Sequence, residues 1–95
     1  MKTLKIFYLE TCPYCINAKR ALKELQYSDP AYAEIGIEWI EESREPALAD
    51  TYDYYRVPSV FCCEKKLYEC DPGDSYSDIK RNLEEALKTA GSCSC

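Results

Sequence analysis

Residues 4–25 read LKIFYLETCPYCINAKRALKEL. The first part, Leu4–Leu9, is apolar apart from Lys5, which is the pattern of a central strand covered on both faces. After Pro13, apolar residues recur at the spacing of one helical face, and these are Ala18, Ala21, Leu22 and Leu25. A buried strand that leads into an amphipathic helix indicates an α/β fold.

Two cysteines, Cys12 and Cys15, lie where the strand gives way to the helix. Pro13 suits the first helical position, because its missing N–H would have had no intrahelical partner, and this places Cys12 at the N-cap. There the free amides and the positive end of the helix dipole stabilise a thiolate. Cys15, one turn inside, lacks that help. We therefore expect Cys12 to attack a disulfide and Cys15 to resolve the adduct.

The rest of the chain alternates between strand-like and helix-like patterns, without a repeat or a linker. A Ser-Asp-Pro turn signal lies within residues 27–33. The next predicted elements are a strand over Ile35–Ile40 and a short helix capped by Ser43, with Leu48, Tyr52 and Tyr55 on one face. Two strands follow, over Ser59–Cys63 and Lys66–Glu69, and a turn at Glu64-Lys65 joins them. The last predicted element is a helix that is capped by Ser75 and Asp78 and stops at Gly91. The predicted order is βαβαββα.

Length and charge narrow the class of protein. Ninety-five residues suffice for one domain, which we expect over residues 1–91, with a flexible cysteine-containing tail over residues 92–95. The net charge is −5 and there is no lysine-rich or arginine-rich block, so we expect neither nucleic acid nor a membrane surface as a partner. Since no apolar run is long enough for a signal peptide or a membrane span, we expect a cytoplasmic protein.

The chain contains seven cysteines and no histidine. The lack of histidine excludes a cysteine–histidine catalytic pair and imidazole metal sites. An odd cysteine count without an export signal predicts mostly reduced thiols, apart from a pair that cycles. A zinc half-site is the alternative for Cys12 and Cys15, but it would need a second C-x-x-C or a histidine pair.

The other cysteines are interpreted as structural or peripheral. Cys62 and Cys63 are consecutive on a predicted strand and should point to opposite faces as small apolar residues. Cys93 and Cys95 fall in the predicted tail, which is interpreted as functionless, with a local disulfide or a bound metal as the alternative. The sequence therefore predicts no metal site.

The motif Cys12-Pro13-Tyr14-Cys15 after a first strand, together with the βαβαββα order, resembles the dithiol glutaredoxins of the thioredoxin superfamily. The resemblance implies a thioredoxin-like fold with a central mixed four-stranded sheet flanked by helices, and thiol–disulfide oxidoreductase activity. Val57-Pro58 before a strand is similar to the family's Val-Pro element, whose proline is cis and faces the first cysteine. A cis bond would expose the Val57 backbone to pair with a substrate main chain.

A second part of the resemblance concerns glutathione. Residues 68–71 read Tyr-Glu-Cys-Asp where glutaredoxins usually have Gly-Gly-Cys-Asp, and Leu9 stands where the family commonly has a lysine. The substrate-binding residues implied by the resemblance are Pro13, Tyr14, Val57, Pro58, Cys70 and Asp71. No bound cofactor is expected, and the electron donor is either glutathione or a flavoprotein of the thioredoxin-reductase type.

These observations predict a monomeric enzyme that reduces disulfide-containing proteins or mixed disulfides through Cys12 and Cys15. The alternative is a carrier of an iron–sulfur cluster or a metal, held with glutathione at the first active-site cysteine. A third hypothesis is an interaction module in which the Val57-Pro58 edge binds a protein that oxidation of Cys12 releases.

Overall fold

The computed structural model describes residues 2–92, which form one four-stranded mixed sheet with helices against it. In chain order the elements are β1 (Thr3–Tyr8), α1 (Pro13–Ser28), α2 (Pro30–Ala33), β2 (Gly36–Glu41), α3 (Pro46–Ala49), β3 (Ser59–Cys62), β4 (Lys65–Glu69) and α4 (Tyr76–Ser92). The spatial order of the strands is β2-β1-β3-β4. Strand β1 runs parallel to β2 and antiparallel to β3, and β3 and β4 form an antiparallel hairpin. The predicted thioredoxin-like α/β fold is confirmed.

Strand β1 is buried on both faces, as its apolar run predicts. Leu4 and Ile6 lie in the larger core cluster, which includes the buried residues of α1 and α4. Phe7 has the opposite orientation and joins Ile40 and Phe61 in a second cluster on the other face. Successive side chains of a strand point to opposite faces, so one short strand supports both layers.

Helices α1 and α4 cover one face of the sheet and pack against each other. Their buried residues are Cys15, Ala18, Ala21, Leu22 and Leu25 on α1, and Ile79, Leu83, Ala86, Leu87 and Ala90 on α4. Helix α4 begins with the predicted cap: Ser75 N–H donates to Asp78 Oδ2 at 3.0 Å, and Asp78 N–H donates to Ser75 Oγ at 3.1 Å. This reciprocal pair satisfies two amides of the first turn.

The predicted helix after Ser43 is much shorter than expected. Helix α3 has Glu45 at its N-cap, whereas the Ser43 hydroxyl and amide donate to the Glu41 carboxylate. Tyr52 lies beyond the helix, with its ring 4.9 Å from that of Phe7. Aromatic packing onto the sheet therefore overrides the helical spacing of the tyrosines.

Three local boundaries also differ from the predictions. The segment read as a turn contains helix α2, where Asp29 Oδ1 accepts the N–H of Ala31 at 2.9 Å. Gly91 does not end α4, which continues through Ser92. The hairpin turn lies at Cys63 and Glu64, whose positive φ angles of 53° and 68° fit a two-residue type I′ turn.

Within residues 2–92, no helix is long and apolar enough to cross a membrane. The two cysteines of the predicted tail, Cys93 and Cys95, lie outside the described residues. The division into one domain and a tail stays a prediction.

Replacing Leu83 with alanine tests the packing of α4. Leu83 is fully buried, and a buried leucine-to-alanine change costs about 2–5 kcal/mol of unfolding free energy. Ile16, which is 58% exposed on α1, is the control, and Ile16→Ala should shift the unfolding free energy by less than about 0.5 kcal/mol. Chemical denaturation of the reduced proteins measures both values, and equal losses would contradict the described packing.

Candidate active site

Cys12 lies at the N-cap of α1, as the sequence predicts. Its φ and ψ angles of −80° and 122° are extended, and Pro13 occupies the first turn. The Cys12 carbonyl accepts the N–H of Ile16 at 3.1 Å, while the Cys12 N–H donates to the Leu9 carbonyl at 3.2 Å. The half-buried sulfur thus lies at the end of a helix whose first amides have no intrahelical acceptors.

Cys15 lies one turn further along α1 and is only 1% exposed. Burial raises the pKa of this thiol to about 12, although a hydrogen bond from the Leu9 N–H opposes the change; the neighbouring Cys12 raises it further. The Leu9 nitrogen lies 3.5 Å from Cys15 Sγ. Both cysteines are thiols in the structure. At neutral pH the Cys15 thiol therefore keeps its proton.

The Val57–Pro58 segment lies opposite Cys12. Its peptide bond is cis, which confirms the expectation drawn from the resemblance. The Cys12 thiol donates to the Val57 carbonyl, with a sulfur–oxygen distance of 3.8 Å. Pro58 is buried, and its carbonyl accepts the Cys70 N–H at 3.0 Å. The Val57 N–H makes no hydrogen bond to any residue within 2–92.

A groove of about 270 Å³ begins at this segment. Its lining residues are Leu9, Tyr14, Glu42, Tyr55, Arg56, Val57, Cys70, Asp71 and Pro72. Four of the predicted binding residues, Tyr14, Val57, Cys70 and Asp71, are among them. Pro13 is exposed at the helix start and Pro58 is buried, so neither lines the groove.

The loop after β4 is fastened to the active-site helix. The Gly73 N–H donates to the Tyr14 hydroxyl at 2.8 Å, and a φ of 92° at this position suits glycine. Asp74 Oδ2 accepts the Tyr68 hydroxyl at 2.7 Å and the Asp71 N–H at 3.0 Å. Tyr68 therefore braces the loop that carries Asp71.

Charged residues of both signs surround the groove. Arg56 and Asp71 pair at 3.7 Å and are both mostly exposed. Glu42 accepts a hydrogen bond of 2.6 Å from the Tyr54 hydroxyl. Within residues 2–92, no cluster of three or more His, Cys, Asp or Glu side chains is arranged to hold a metal ion.

The remaining described cysteines differ from Cys12 and Cys15. Cys70 is 2% exposed, and burial raises the pKa of its thiol to about 11. Cys62 is buried at the end of β3, as expected of a core residue. Cys63 lies in the exposed hairpin turn and is disulfide-bonded, so its predicted place as a small apolar residue of the strand is wrong.

The sequence did not indicate four residues of the groove: Glu42, Tyr55, Arg56 and Pro72. The helical spacing predicts Tyr55 on a helix face, whereas this residue lies in a loop and is 88% exposed. The one available signal was adjacency, since Arg56 directly precedes Val57 and Pro72 directly follows Asp71.

A thioredoxin-like sheet with two thiols at the start of its first helix defines a thiol–disulfide oxidoreductase of the thioredoxin superfamily. The glutaredoxin family model matches residues 4–66. Glutaredoxin 1 from Rickettsia conorii (strain ATCC VR-613 / Malish 7) is 31% identical over 72 residues, which cover 75% of this chain and 68% of that relative. The chain therefore belongs to the glutaredoxin family.

Two solved structures have the same fold. A mutant thioredoxin from Halobacterium salinarum NRC-1 superposes with a TM-score of 0.64 at 17% identity, covering 98% of this chain and 77% of that one. A structure described as a malarial protein gives a TM-score of 0.61 at 15% identity, covering 87% of this chain and 93% of that one. At such identities the likeness shows the fold alone.

Alkylation should distinguish the two thiols of the pair. We expect iodoacetamide at pH 7 to modify Cys12 and to leave Cys15 unmodified, because Cys15 is buried and its pKa is raised to about 12. Peptide mass spectrometry after timed quenching measures each site. Equal labelling rates at Cys12 and Cys15 would contradict the described asymmetry.

Proposed function

We propose that the protein reduces protein disulfides and mixed disulfides by dithiol exchange, with Cys12 as nucleophile and Cys15 as resolving thiol. The observation that carries this proposal is the placement of the two sulfurs. The Cys12 thiol is half-buried and faces the Val57 carbonyl beside the groove, while Cys15 is 1% exposed behind it. Only the first thiol is accessible to a large substrate.

In the first step the Cys12 thiolate attacks one sulfur of the substrate disulfide. The substrate S–S bond breaks as the Cys12–substrate bond forms, and the departing thiolate carries away the electron pair. The start of α1 places backbone N–H groups without intrahelical acceptors beside the attacking sulfur. The product is a mixed disulfide on Cys12.

In the second step Cys15 attacks Cys12 Sγ and releases the second substrate thiolate. The Cys15 thiol loses a proton and the released sulfur gains one, so two electrons and two protons reach the substrate over both steps. Cys12 contributes to the raised pKa of Cys15, and this contribution ends once Cys12 is bound in a mixed disulfide. Cys15 is thus more easily ionised after the first attack than before it.

The groove supports an extended substrate. The Val57 N–H is unpaired within residues 2–92 and can donate to a substrate main chain, as at the edge of a sheet. Tyr14, Cys70 and Asp71 line the same groove. Pro13 lies in the first turn of α1, and the buried Pro58 is joined to Val57 by a cis peptide bond.

Glutathione is our proposed reductant of the Cys12–Cys15 disulfide. Its thiolate would attack Cys12, and a second glutathione would release oxidised glutathione and restore both thiols. Arg56 and Asp71 offer opposite charges to its carboxylates and its ammonium group. Leu9 lines the groove without a charge, so a flavoprotein of the thioredoxin-reductase type is the rival donor.

The carrier hypothesis is the second reading of the same cysteine. A cluster shared between two subunits would use Cys12 together with glutathione, but Pro13 in the first turn restricts the backbone there. We favour a monomeric, cytoplasmic oxidoreductase. Anaerobic reconstitution followed by a visible absorption spectrum separates the two functions, since a cluster band would support the carrier.

Trapping with Cys15→Ser tests the assignment of roles. We expect this variant to accumulate a mixed disulfide between Cys12 and its substrate, because the resolving thiol is missing. Cys12→Ser should form no adduct. Cys62→Ala is the matched control, since Cys62 lies at the other end of β3 from Pro58 and should leave turnover intact. Mass spectrometry under non-reducing conditions detects the adducts. An adduct through Cys15 in Cys12→Ser would contradict the assignment of Cys12 as nucleophile and Cys15 as resolving thiol.

A coupled assay identifies the electron donor. Oxidised protein is mixed with either glutathione, glutathione reductase and NADPH, or thioredoxin reductase and NADPH, and NADPH consumption is followed with a disulfide peptide as substrate. We expect the glutathione system to be at least about tenfold faster, the ratio for about 1.4 kcal/mol of preferential interaction. Faster turnover with the flavoprotein alone would reject glutathione as donor while leaving the dithiol chemistry intact.

A further inference from the structure

Glu69 lies at the end of β4, and its carboxylate reaches the chain that precedes Val57. Its Oε2 accepts the backbone N–H groups of Tyr55 at 2.8 Å and of Arg56 at 2.7 Å. Its Oε1 accepts the Lys66 ammonium at 2.7 Å. The Glu69 side chain is 17% exposed. One carboxylate thus receives three donors, two of them from consecutive backbone amides.

The segment held in this way is the one that faces the nucleophile. Val57 directly follows Arg56, and its carbonyl accepts the Cys12 thiol. On the other side of Val57, the Pro58 carbonyl accepts the Cys70 N–H at 3.0 Å. Val57 is therefore fixed between two anchors, and both come from adjacent residues at one end of β4.

We propose that Glu69 is a positioning residue that holds the Val57 backbone ready to pair with the main chain of a polypeptide disulfide substrate. The inference rests on the proposed function, because it assigns the means by which the groove recognises its substrate. A loop whose backbone groups are already oriented loses less freedom when a peptide binds than a loop that must first become ordered.

The ionisation of Glu69 fits this role. Burial alone would raise the pKa of its carboxyl, but hydrogen bonds from Lys66, Tyr55 and Arg56 outweigh it, and the pKa is lowered. At neutral pH the Glu69 side chain is therefore a carboxylate, whose two oxygens accept hydrogen bonds from all three donors. An uncharged side chain of the same shape would bind the two amides less tightly.

The proposal separates two classes of substrate. A polypeptide disulfide needs both Cys12 and the Val57 backbone, whereas a small disulfide such as hydroxyethyl disulfide needs only Cys12. Releasing the loop should weaken binding of the polypeptide and leave the chemistry at sulfur unchanged. A merely structural role of Glu69 would lower both rates together.

The experiment uses single turnover, which needs no electron donor. Reduced protein, freed of external thiol, is mixed with an excess of a synthetic cystine peptide or of hydroxyethyl disulfide, and acid-quenched samples are analysed by mass. For Glu69→Ala we expect the half-saturating peptide concentration to rise about tenfold, the ratio for about 1.4 kcal/mol, with a limiting rate within about twofold of wild type. The rate with hydroxyethyl disulfide should also stay within about twofold.

Two further variants complete the design. Glu69→Gln keeps an oxygen acceptor, so its half-saturating concentration should lie between those of wild type and Glu69→Ala, and it substitutes for the alanine variant if that one does not fold. Asp78→Ala is the matched control, since Asp78 also accepts a backbone N–H but lies at the start of α4. It should lower thermal stability without changing peptide saturation.

The outcomes are distinct. The inference is overturned if the half-saturating peptide concentration of the Glu69 variants equals that of wild type or does not exceed that of Asp78→Ala. It is also overturned if the Glu69 variants lose activity on hydroxyethyl disulfide to the same extent as on the peptide. If wild-type protein reduces neither substrate and its Cys12 resists alkylation, the proposed function itself is wrong.

Discussion

The site depends on the burial of one face of α1 against the sheet. Cys15 belongs to that buried face together with Ala18 and Leu22. Cys12 precedes Cys15 by one helical turn, so the same packing leaves Cys12 at the helix start. Pro13 suits the first turn because it has no N–H that would lack an intrahelical acceptor. The chemical difference between the two sulfurs is thus a consequence of how the helix packs. No charged partner from elsewhere in the chain is needed to create it.

The second wall of the groove is positioned by strand register. Ser59 pairs with Phe7 on one side and with Glu69 on the other. The end of β1, the start of β3 and the end of β4 therefore meet at one edge of the sheet. The segments that follow or precede these ends carry Cys12 and Val57, which explains why residues far apart in sequence face each other.

Elements with local signals could be predicted from the sequence, and contacts between distant segments could not. The apolar run of β1, the stripe of α1 and the cap at Ser75 depend on near neighbours and are present as predicted. Periodicity predicts too long a helix after Ser43, because Tyr52 packs onto Phe7 and this contact between distant residues leaves no periodic signal. Likewise, the spacing of Cys12 and Cys15 forms a recognisable motif. The hydrogen bonds from two loop amides to Glu69 join distant segments, and no sequence pattern indicates them.

The lack of histidine is compatible with this chemistry because sulfur can carry the proton balance alone. Before attack, burial holds the proton on Cys15, while Cys12 is the more exposed of the two sulfurs. In the proposed dithiol exchange, the departing substrate thiolate would be a base generated beside the site, and Cys15 would be relieved of the effect of Cys12. Each step of the proposed exchange would thus produce the ionisation state that the next step needs. For the resolving role that we propose for Cys15, burial is then an advantage, since the buried thiol would stay unreactive until a mixed disulfide has formed.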